Sequence, residues 1–556
     1  MLYTLPCMHR DSWKLWAAAV LSAGLLELPF PLAGPLPPWR SIFAWFALVP
    51  LLVAILLPAN LQGRHPLRRG FLLGYVCGVL WYAGNCYWIY ATMRIYGGLS
   101  AWISAVMLAG FSLVLGLYFG AFAWAVVLLR RATGSLKAAL AAAPVLWVAV
   151  ELAGARITSV PWDQLGYSQV DNTVLTLLAP WTGVYGISFV LLVGNALIAG
   201  GFLAQRGRNR LAWGTAGVVL MLAGWAGIFV PPSQPKATAT AVLIQPNLNV
   251  GAYNNWVGPV WDRHIAQFAQ MAAETCKSYI AGIPQTGAPV VKPSCPELPA
   301  HPDLVAWPES PAPFFESDPR FEAAMSAIAR QVQAPLIVNA IGSSYSETDN
   351  TWKDYVSAVI FDSGGQRVGR YDKIHLVPFG EYIPFKQIFF FARKLTGAVP
   401  NFSHGKQIKV FFLNGHRYGV FICYEAVFAE EVRQFARMGA QVLVNISDDG
   451  WYGDTSAPWQ HLNMARMRAI ENRRWLLRDT NNGVTASIDP YGRVLESIPR
   501  HQVDALPARF GFNSEMTFYT EHGDVFAWLC AILTLGIIGW LLPGGLRPND
   551  QNKVRS

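Results

Sequence analysis

The sequence predicts a polytopic α-helical membrane bundle of about eight spans joined to an extracytoplasmic α/β domain. Three observations lead there. Of 556 residues, 53% are hydrophobic and only 14% charged, where a globular chain carries about a quarter charged. The deficit is uneven: residues 12–230 and 524–543 are almost free of charge, whereas 236–510 has the composition of soluble protein. Finally, lysine and arginine are rich in every second short loop and sparse in the others.

A spanning helix needs about 20 mostly apolar residues. Seven such stretches precede the soluble region, near 12–29, 41–58, 70–93, 102–129, 138–154, 179–203 and 211–231. An eighth, "DVFAWLCAILTLGIIGWLLP", follows it. The first lacks a small-residue cleavage site and more spans follow, so it reads as a retained helix, not a signal peptide. Glu27 and Glu151 fall inside spans, where a carboxylate is costly in lipid, and are expected to face the bundle interior or an interface.

Arg10 and Lys14 precede the first span, Arg64, Arg68 and Arg69 follow the second, and Arg130, Arg131 and Lys137 follow the fourth. Arg206, Arg208 and Arg210 follow the sixth, and Arg547, Lys553 and Arg555 close the chain. The alternate loops hold one basic residue each, Arg40, Arg94 and Arg156. Both termini are therefore expected in the cytoplasm, with the soluble region on the far side. The net charge of +9 is mostly this topology signal. No polybasic tract with interleaved aromatics argues for a nucleic-acid partner.

The seven cysteines form no CxxC and no cysteine–histidine spacing of a zinc site. Cys276 and Cys295 flank a Pro/Gly-rich stretch of the far-side region. An oxidising compartment permits a disulfide there, worth about 3 kcal/mol from loop closure, but pairing is not readable from sequence.

Within the soluble region, short β-rich runs alternate with helical patterns, the signature of a layered α/β domain. "ATATAVLIQPN", "DLVAWPES", "APLIVNAIGSS" and "AQVLVNISDD" read as strands. Residues 257–275, "RFEAAMSAIARQVQ" and "AEEVRQFARMG" read as helices. "YVSAVIFDSGGQRVGRYDKIHL" reads as two strands about a Gly-Gly turn, and "KVFFLNGHRYGVFICYE" as a hairpin turning at Asn414-Gly415. Catalytic groups in such domains gather at strand ends and the loops beyond. Glu309, Lys373 and Cys423 occupy such positions.

Their chemistry is complementary. A cysteine attacks as thiolate and needs a proton acceptor, which Glu309 supplies. Cationic Lys373 favours the thiolate and the oxyanion formed when a carbonyl is attacked, and the Tyr424 backbone N–H is a natural second donor. Base, nucleophile and electrophilic clamp together make an acyl-transfer set.

"VAWPES", "YDKIHLVPFGEYIP" and "GVFICYE" resemble the three catalytic motifs of the nitrilase superfamily and its Glu–Lys–Cys triad. With the spans and far-side location, and with "WDQLGYSQVDN", "LIQPN" and "SAPWQHLNMARMRAIENRRWLLRDTNNGVTASIDPYGRV", the chain resembles the apolipoprotein N-acyltransferase family over residues 12–543. The resemblance implies an αββα sandwich and a bacterial inner-membrane enzyme. Residues 1–231 would hold seven spans, 232–512 a periplasmic nitrilase-like domain, and 513–556 the last span and a cytoplasmic tail. It implies a phospholipid acyl donor, a cysteine thioester, and a diacylated apolipoprotein acceptor met at the bilayer surface, with no cofactor and no metal. Both substrates are membrane-anchored, so tethering raises their effective concentration.

By position, Glu425 is assigned to placing Lys373 or the incoming amine, and Glu381 to a mobile loop over the cleft. Tyr424 and Trp451 are assigned to the acyl or headgroup pocket. His375 and His461 are expected to be structural or pocket-lining. The family usually has Ser-Asn-Asp before this tryptophan, where this chain has Ser447-Asp448-Asp449; Asp448 removes an amide donor and adds charge. "LPFGEYIPF" and "KQIFFFARKL" read either as a lid that dips into lipid or as ordinary packing. Two further readings of the whole chain stay open: a membrane-tethered amide hydrolase, and a non-enzymatic transporter or receptor. The second lacks the repeated halves a transporter shows.

Overall fold

In the computed structural model, the described residues are 12–250, 259–273, 301–309, 314–348, 350–382 and 402–545. Cys276, Cys295, the insertion around them and "KQIFFFARKL" lie outside the described residues.

Residues 12–230 form a helical bundle. Its main helices are α1 (Ser12–Glu27), α2 (Val49–Leu56), α3 (Pro66–Asn85), α4 (Trp88–Ile95), α5 (Ala101–Thr133), α6 (Leu136–Ile157), α7 (Val184–Leu203) and α8 (Gly207–Trp225). Five segments among the described residues are long and apolar enough to cross a membrane: Pro38–Leu56, Ala101–Thr133, Leu136–Ile157, Val184–Leu203 and Gly207–Phe229. Helices occupy the other three expected positions but fall short of that measure. α1 has 16 residues. The stretch near 70–93 is not one span but two helices, α3 and α4. At the break the Asn85 carbonyl accepts from the distant Gln460 Nε2 at 3.1 Å, and Ile89 N–H turns to the Cys86 carbonyl.

Without water to drive apolar association, helices in a membrane gain from close backbone approach. Gly70, Gly74 and Gly78 fall on one face of α3 against α5. A β-carbon at Gly70 would stand 2.8 Å from Val127, and one at Gly78 would stand 2.7 Å from Phe119. At Gly74 it would run into the Phe119 carbonyl.

The second part is built from two six-stranded mixed sheets. One has the order β12-β1-β2-β3-β4-β5, the other β11-β10-β9-β8-β7-β6. The first contains β1 (Ala239–Gln245), β2 (Leu304–Trp307), β3 (Leu336–Ser346), β4 (Thr351–Phe361), β5 (Arg367–Asp372) and β12 (Asp504–Phe510). The second contains β6 (Val410–Leu413), β7 (His416–Ile422), β8 (Val442–Ser447), β9 (Trp475–Thr480), β10 (Thr485–Ile488) and β11 (Val494–Ile498). In each sheet the three central strands, β1-β2-β3 and β7-β8-β9, run parallel. Strands covered on both faces read as continuous apolar runs, as "ATAVLIQ" and "VLVNIS" do. The β6–β7 hairpin turns at Asn414 (φ 47°) and Gly415 (φ 84°), where the left-handed backbone suits Asn-Gly.

Alternate strand residues divide the core. Ala241, Leu243, Ala306 and Ile337 meet Val420, Ile422 and Val444 between the sheets. Val242, Ile244, Val305 and Val338 pack outward on Phe268 of α9 (Pro259–Ala273) and on Phe321 and Met325 of α10 (Pro319–Val332). α11 (Ala429–Arg437) and α12 (Ala457–Asn472) cover the second sheet, completing an αββα sandwich.

α12 serves both halves of the molecule. Leu462, Ala465 and Ala469 pack on the sheet, while Met464, Met467 and Ile470 join the core of the helical bundle. Gln460 accepts from Trp162 Nε1 at 2.9 Å and donates to Asn85 Oδ1 at 2.9 Å. Arg468 donates to the Tyr167 hydroxyl at 2.8 Å, and Glu471 accepts the Val184 N–H at 3.2 Å. α13 (Val525–Gly545) then returns to the bundle, where Arg156 pairs with Asp524.

The α3–α5 contact yields a prediction. Gly74→Val is expected to destabilise the detergent-solubilised protein by about 1–3 kcal/mol through overpacking, read as a lowered thermal unfolding midpoint. Gly24, with nothing within 4 Å of its missing β-carbon, is the matched control.

Candidate active site

The three residues singled out at strand ends come together. Glu309 lies two positions beyond β2, Lys373 directly follows β5, and Cys423 directly follows β7. Lys373 Nζ donates to Glu309 Oε1 at 2.8 Å and to Glu381 Oε1 at 2.7 Å, with the lysine side chain fully buried. The other Glu309 oxygen accepts the Asp448 backbone N–H at 3.2 Å. Glu309 is thus oriented at both oxygens, one by a cation and one by a peptide.

Charge burial explains the arrangement. Desolvation works against the charge on Lys373, and the Glu309 and Glu381 carboxylates more than offset it, so its pKa lies well above the usual lysine value. An ammonium has three donors. Two are taken by carboxylates, leaving one for a third acceptor.

Cys423 is buried, and desolvation together with Glu309 pushes its thiol well above the ordinary range. Lys373 and the Ser447 hydroxyl pull the other way. Attack therefore calls for a nearby group that takes the thiol proton. Cys423 sits in the left-handed region at φ 49°, a conformation that costs a non-glycine residue of order 1–3 kcal/mol. It opens a short 3-10 turn, Cys423–Val427. Tyr424, in the first turn of that helix, has an N–H without an acceptor inside the helix.

Glu425 holds this turn against the Lys373 loop. Its carboxylate accepts the Tyr371 hydroxyl at 2.9 Å, Ile374 N–H at 2.5 Å, His375 N–H at 3.2 Å and Ile422 N–H at 2.7 Å. No bond joins it directly to Lys373; it is fully buried and bonds backbone of both the Lys373 loop and the strand before Cys423. Burial, then the neighbouring Glu431, raises its pKa well above the carboxylate range. Glu381 lies on the loop after β5, as expected, but its carboxylate also accepts Val377 N–H at 2.7 Å and grips Lys373. Its pKa is raised, by burial first and against the pull of Lys373.

Asp448 accepts at both carboxyl oxygens, of which an amide could supply only one. Its Oδ1 takes Gly450 N–H at 3.0 Å and its Oδ2 takes Asn481 Nδ2 at 3.3 Å. Burial and nearby Glu309 push it well above its ordinary range. His375 stacks on Phe428 with ring centroids 3.9 Å apart and pairs with Glu431.

The helical bundle forms one wall of the cleft. Trp162 stacks on Tyr424 at 6.5 Å, and Trp451 meets Tyr96 edge-on at 5.7 Å. The Trp451 carbonyl accepts the Thr92 hydroxyl at 3.0 Å. Both residues assigned to a pocket therefore lie where bundle and sandwich meet.

Sequence reasoning missed a buried polar group beneath Cys423. His461 Nε2 is 3.1 Å from the Cys423 carbonyl, and its Nδ1 is 3.0 Å from Asp449, which Arg478 contacts at 2.7 Å. His461 and Arg478 lie on a helix and a strand buried on every side, so no alternation of polar and apolar positions marks them. Among the described residues, no group of His, Cys, Asp or Glu could hold a metal ion.

A family model described as the apolipoprotein N-acyltransferase N-terminal domain matches residues 22–197, and a carbon-nitrogen hydrolase model matches residues 262–505. The apolipoprotein N-acyltransferase of Geobacter metallireducens is 35% identical over 526 residues, covering 92% of each chain. That of Pseudomonas syringae pv. tomato is 31% identical over 551 residues, covering 96% of this chain and 97% of the relative.

Two measurements check the geometry. The pH midpoint for alkylation of Cys423 by iodoacetamide is expected to move up in Lys373→Met, which loses the cation, and down in Glu309→Gln, which loses the anion; a common direction would contradict the arrangement. Glu425→Ala leaves one hydroxyl and three backbone donors unpaired in a dry interior, so unfolding should show a loss of at least about 3 kcal/mol.

Proposed function

Since the chain belongs to the apolipoprotein N-acyltransferase family, we propose that it acylates lipoprotein amino termini through a thioester on Cys423, with Glu309 as base and Lys373 as electrophile. The observation that carries this reading is the buried Glu309–Lys373–Glu381 cluster beside a cysteine held in a left-handed turn.

In the first half-reaction, Cys423 Sγ attacks the ester carbonyl of a membrane phospholipid. Its proton passes to Glu309, and the oxyanion forms against the remaining Lys373 donor and the Tyr424 N–H. Collapse breaks the ester C–O bond, and Glu309 returns the proton to the departing lysophospholipid hydroxyl. The second half mirrors the first. The free α-amino group of the diacylglyceryl-cysteine attacks the thioester carbonyl, Glu309 takes the amine proton, and the thiol re-forms as the amide is left on the lipoprotein. Atoms balance without water, nucleotide or metal.

Glu381 keeps Lys373 cationic and aimed, and Glu425 sets the distance between the Lys373 loop and the nucleophile turn. Tyr424 and Trp451, with Trp162 and Tyr96 facing them, line the path of the acyl chain or headgroup. We place residues 1–231 in the inner membrane with seven spans, 232–512 in the periplasm, and 513–556 as the last span and a cytoplasmic tail. The alternation of basic loops supports this orientation, with both termini cytoplasmic.

Purified protein incubated with phospholipid is expected to gain an acyl mass on the Cys423 peptide, and a diacylated lipopeptide should then discharge it to a triacylated product. Cys423→Ala should form neither. Free fatty acid released in place of triacylated lipopeptide would identify a hydrolase.

A further inference from the structure

The peptide unit joining Cys423 to Tyr424 has two functional ends. A trans peptide is planar, so the Cys423 carbonyl and the Tyr424 N–H point in opposite directions and turn together. If the N–H faces the oxyanion, whatever holds the carbonyl aims the donor. His461 holds it, with Nε2 3.1 Å from the Cys423 carbonyl oxygen.

The imidazole is itself fixed from several elements. Its Nδ1 is 3.0 Å from Asp449 Oδ1, in the turn after β8. Arg478 Nη2, from β9, reaches both Asp449 oxygens at 2.9 and 2.7 Å and lies 3.1 Å from the imidazole Nδ1. Ser447, at the end of β8, donates to Asp449 at 3.0 Å, and Arg478 Nη1 bonds Asn445. His461, Asp449, Arg478, Ser447 and Asn445 are all fully buried. Trp162 from the bundle lies along the ring at 6.2 Å, and Tyr452 meets it edge-on at 6.0 Å. This buried polar post ends on one carbonyl of a turn whose cysteine is held in the left-handed region.

We propose that His461, supported by Asp449 and Arg478, is a positioning residue that turns the Tyr424 N–H toward the oxyanion of both half-reactions. The inference rests on Cys423 being the acyl-carrying nucleophile. It separates two chemistries at one sulfur: acyl transfer passes through an oxyanion, whereas alkylation by iodoacetamide does not.

The test compares both rates in the full-length protein, with thioester on Cys423 measured by mass in single turnovers over a range of phospholipid. In His461→Leu the acylation rate at saturating phospholipid should fall about 100-fold, with the half-saturating concentration unchanged. Alkylation should stay within about threefold, because it needs no oxyanion donor. His461→Gln, whose amide nitrogen can donate to the same carbonyl, should recover at least about tenfold of the loss. Unchanged acylation, an equal fall in alkylation, or no recovery with glutamine would overturn the proposal. If His461→Leu does not fold, Asp449→Asn carries the test on the same two rates, and equal effects on both overturn it. Absence of any acyl mass on wild-type Cys423 would instead remove the nucleophile assignment itself.

Discussion

A fully buried ammonium is the constraint on which the rest of the site depends. Placing Lys373 in a dry interior is unfavourable unless anions accompany it, and Glu309 and Glu381 do so from 2.8 and 2.7 Å. Removing the ammonium would leave two buried carboxylates without a counter-charge, at a cost of about 3–5 kcal/mol. The three residues come from the loops after β2 and β5, so the loops must reach the same point as the end of β7, where the thiol lies. β2 and β7 belong to the parallel strands of their sheets, whereas β5, which precedes Lys373, is an edge strand paired antiparallel with β4.

Around this centre, side chains fix backbone more than they fix one another. Glu425 takes three peptide N–H groups, from the Lys373 loop and from the strand before the thiol. Glu309 accepts the peptide N–H of Asp448, and His461 Nε2–H donates to the carbonyl of Cys423. Each bond converts a loop into a position. A left-handed cysteine persists because the groups on either side of it are held from outside the turn.

The same logic joins the sandwich to the bundle. α12 has polar residues buried on both faces, and Gln460, beside His461, is tied to Asn85 and Trp162 of the bundle. Trp162 also touches both the His461 and Tyr424 rings. The bundle is therefore part of the wall around the nucleophile, and more than an anchor.

Much of this was legible in the sequence, for a physical reason. Hydropathy and backbone preference act over a few residues, so "VLVNIS" reads as a buried strand, "RFEAAMSAIARQVQ" as a helix and Asn414-Gly415 as a tight turn without any knowledge of neighbours. The identities of Glu309, Lys373 and Cys423 stood out because base, cation and thiol recur at strand ends. What only the tertiary structure decided depends on groups distant in the chain. The division of the 70–93 stretch into two helices is accompanied by a bond from Gln460, far beyond it, and the contact of Glu381 with Lys373 depends on how one loop folds back. Buried polar residues such as Asp449, His461 and Arg478 leave no periodic trace, because a side chain paired in the interior looks, in one dimension, like one facing water.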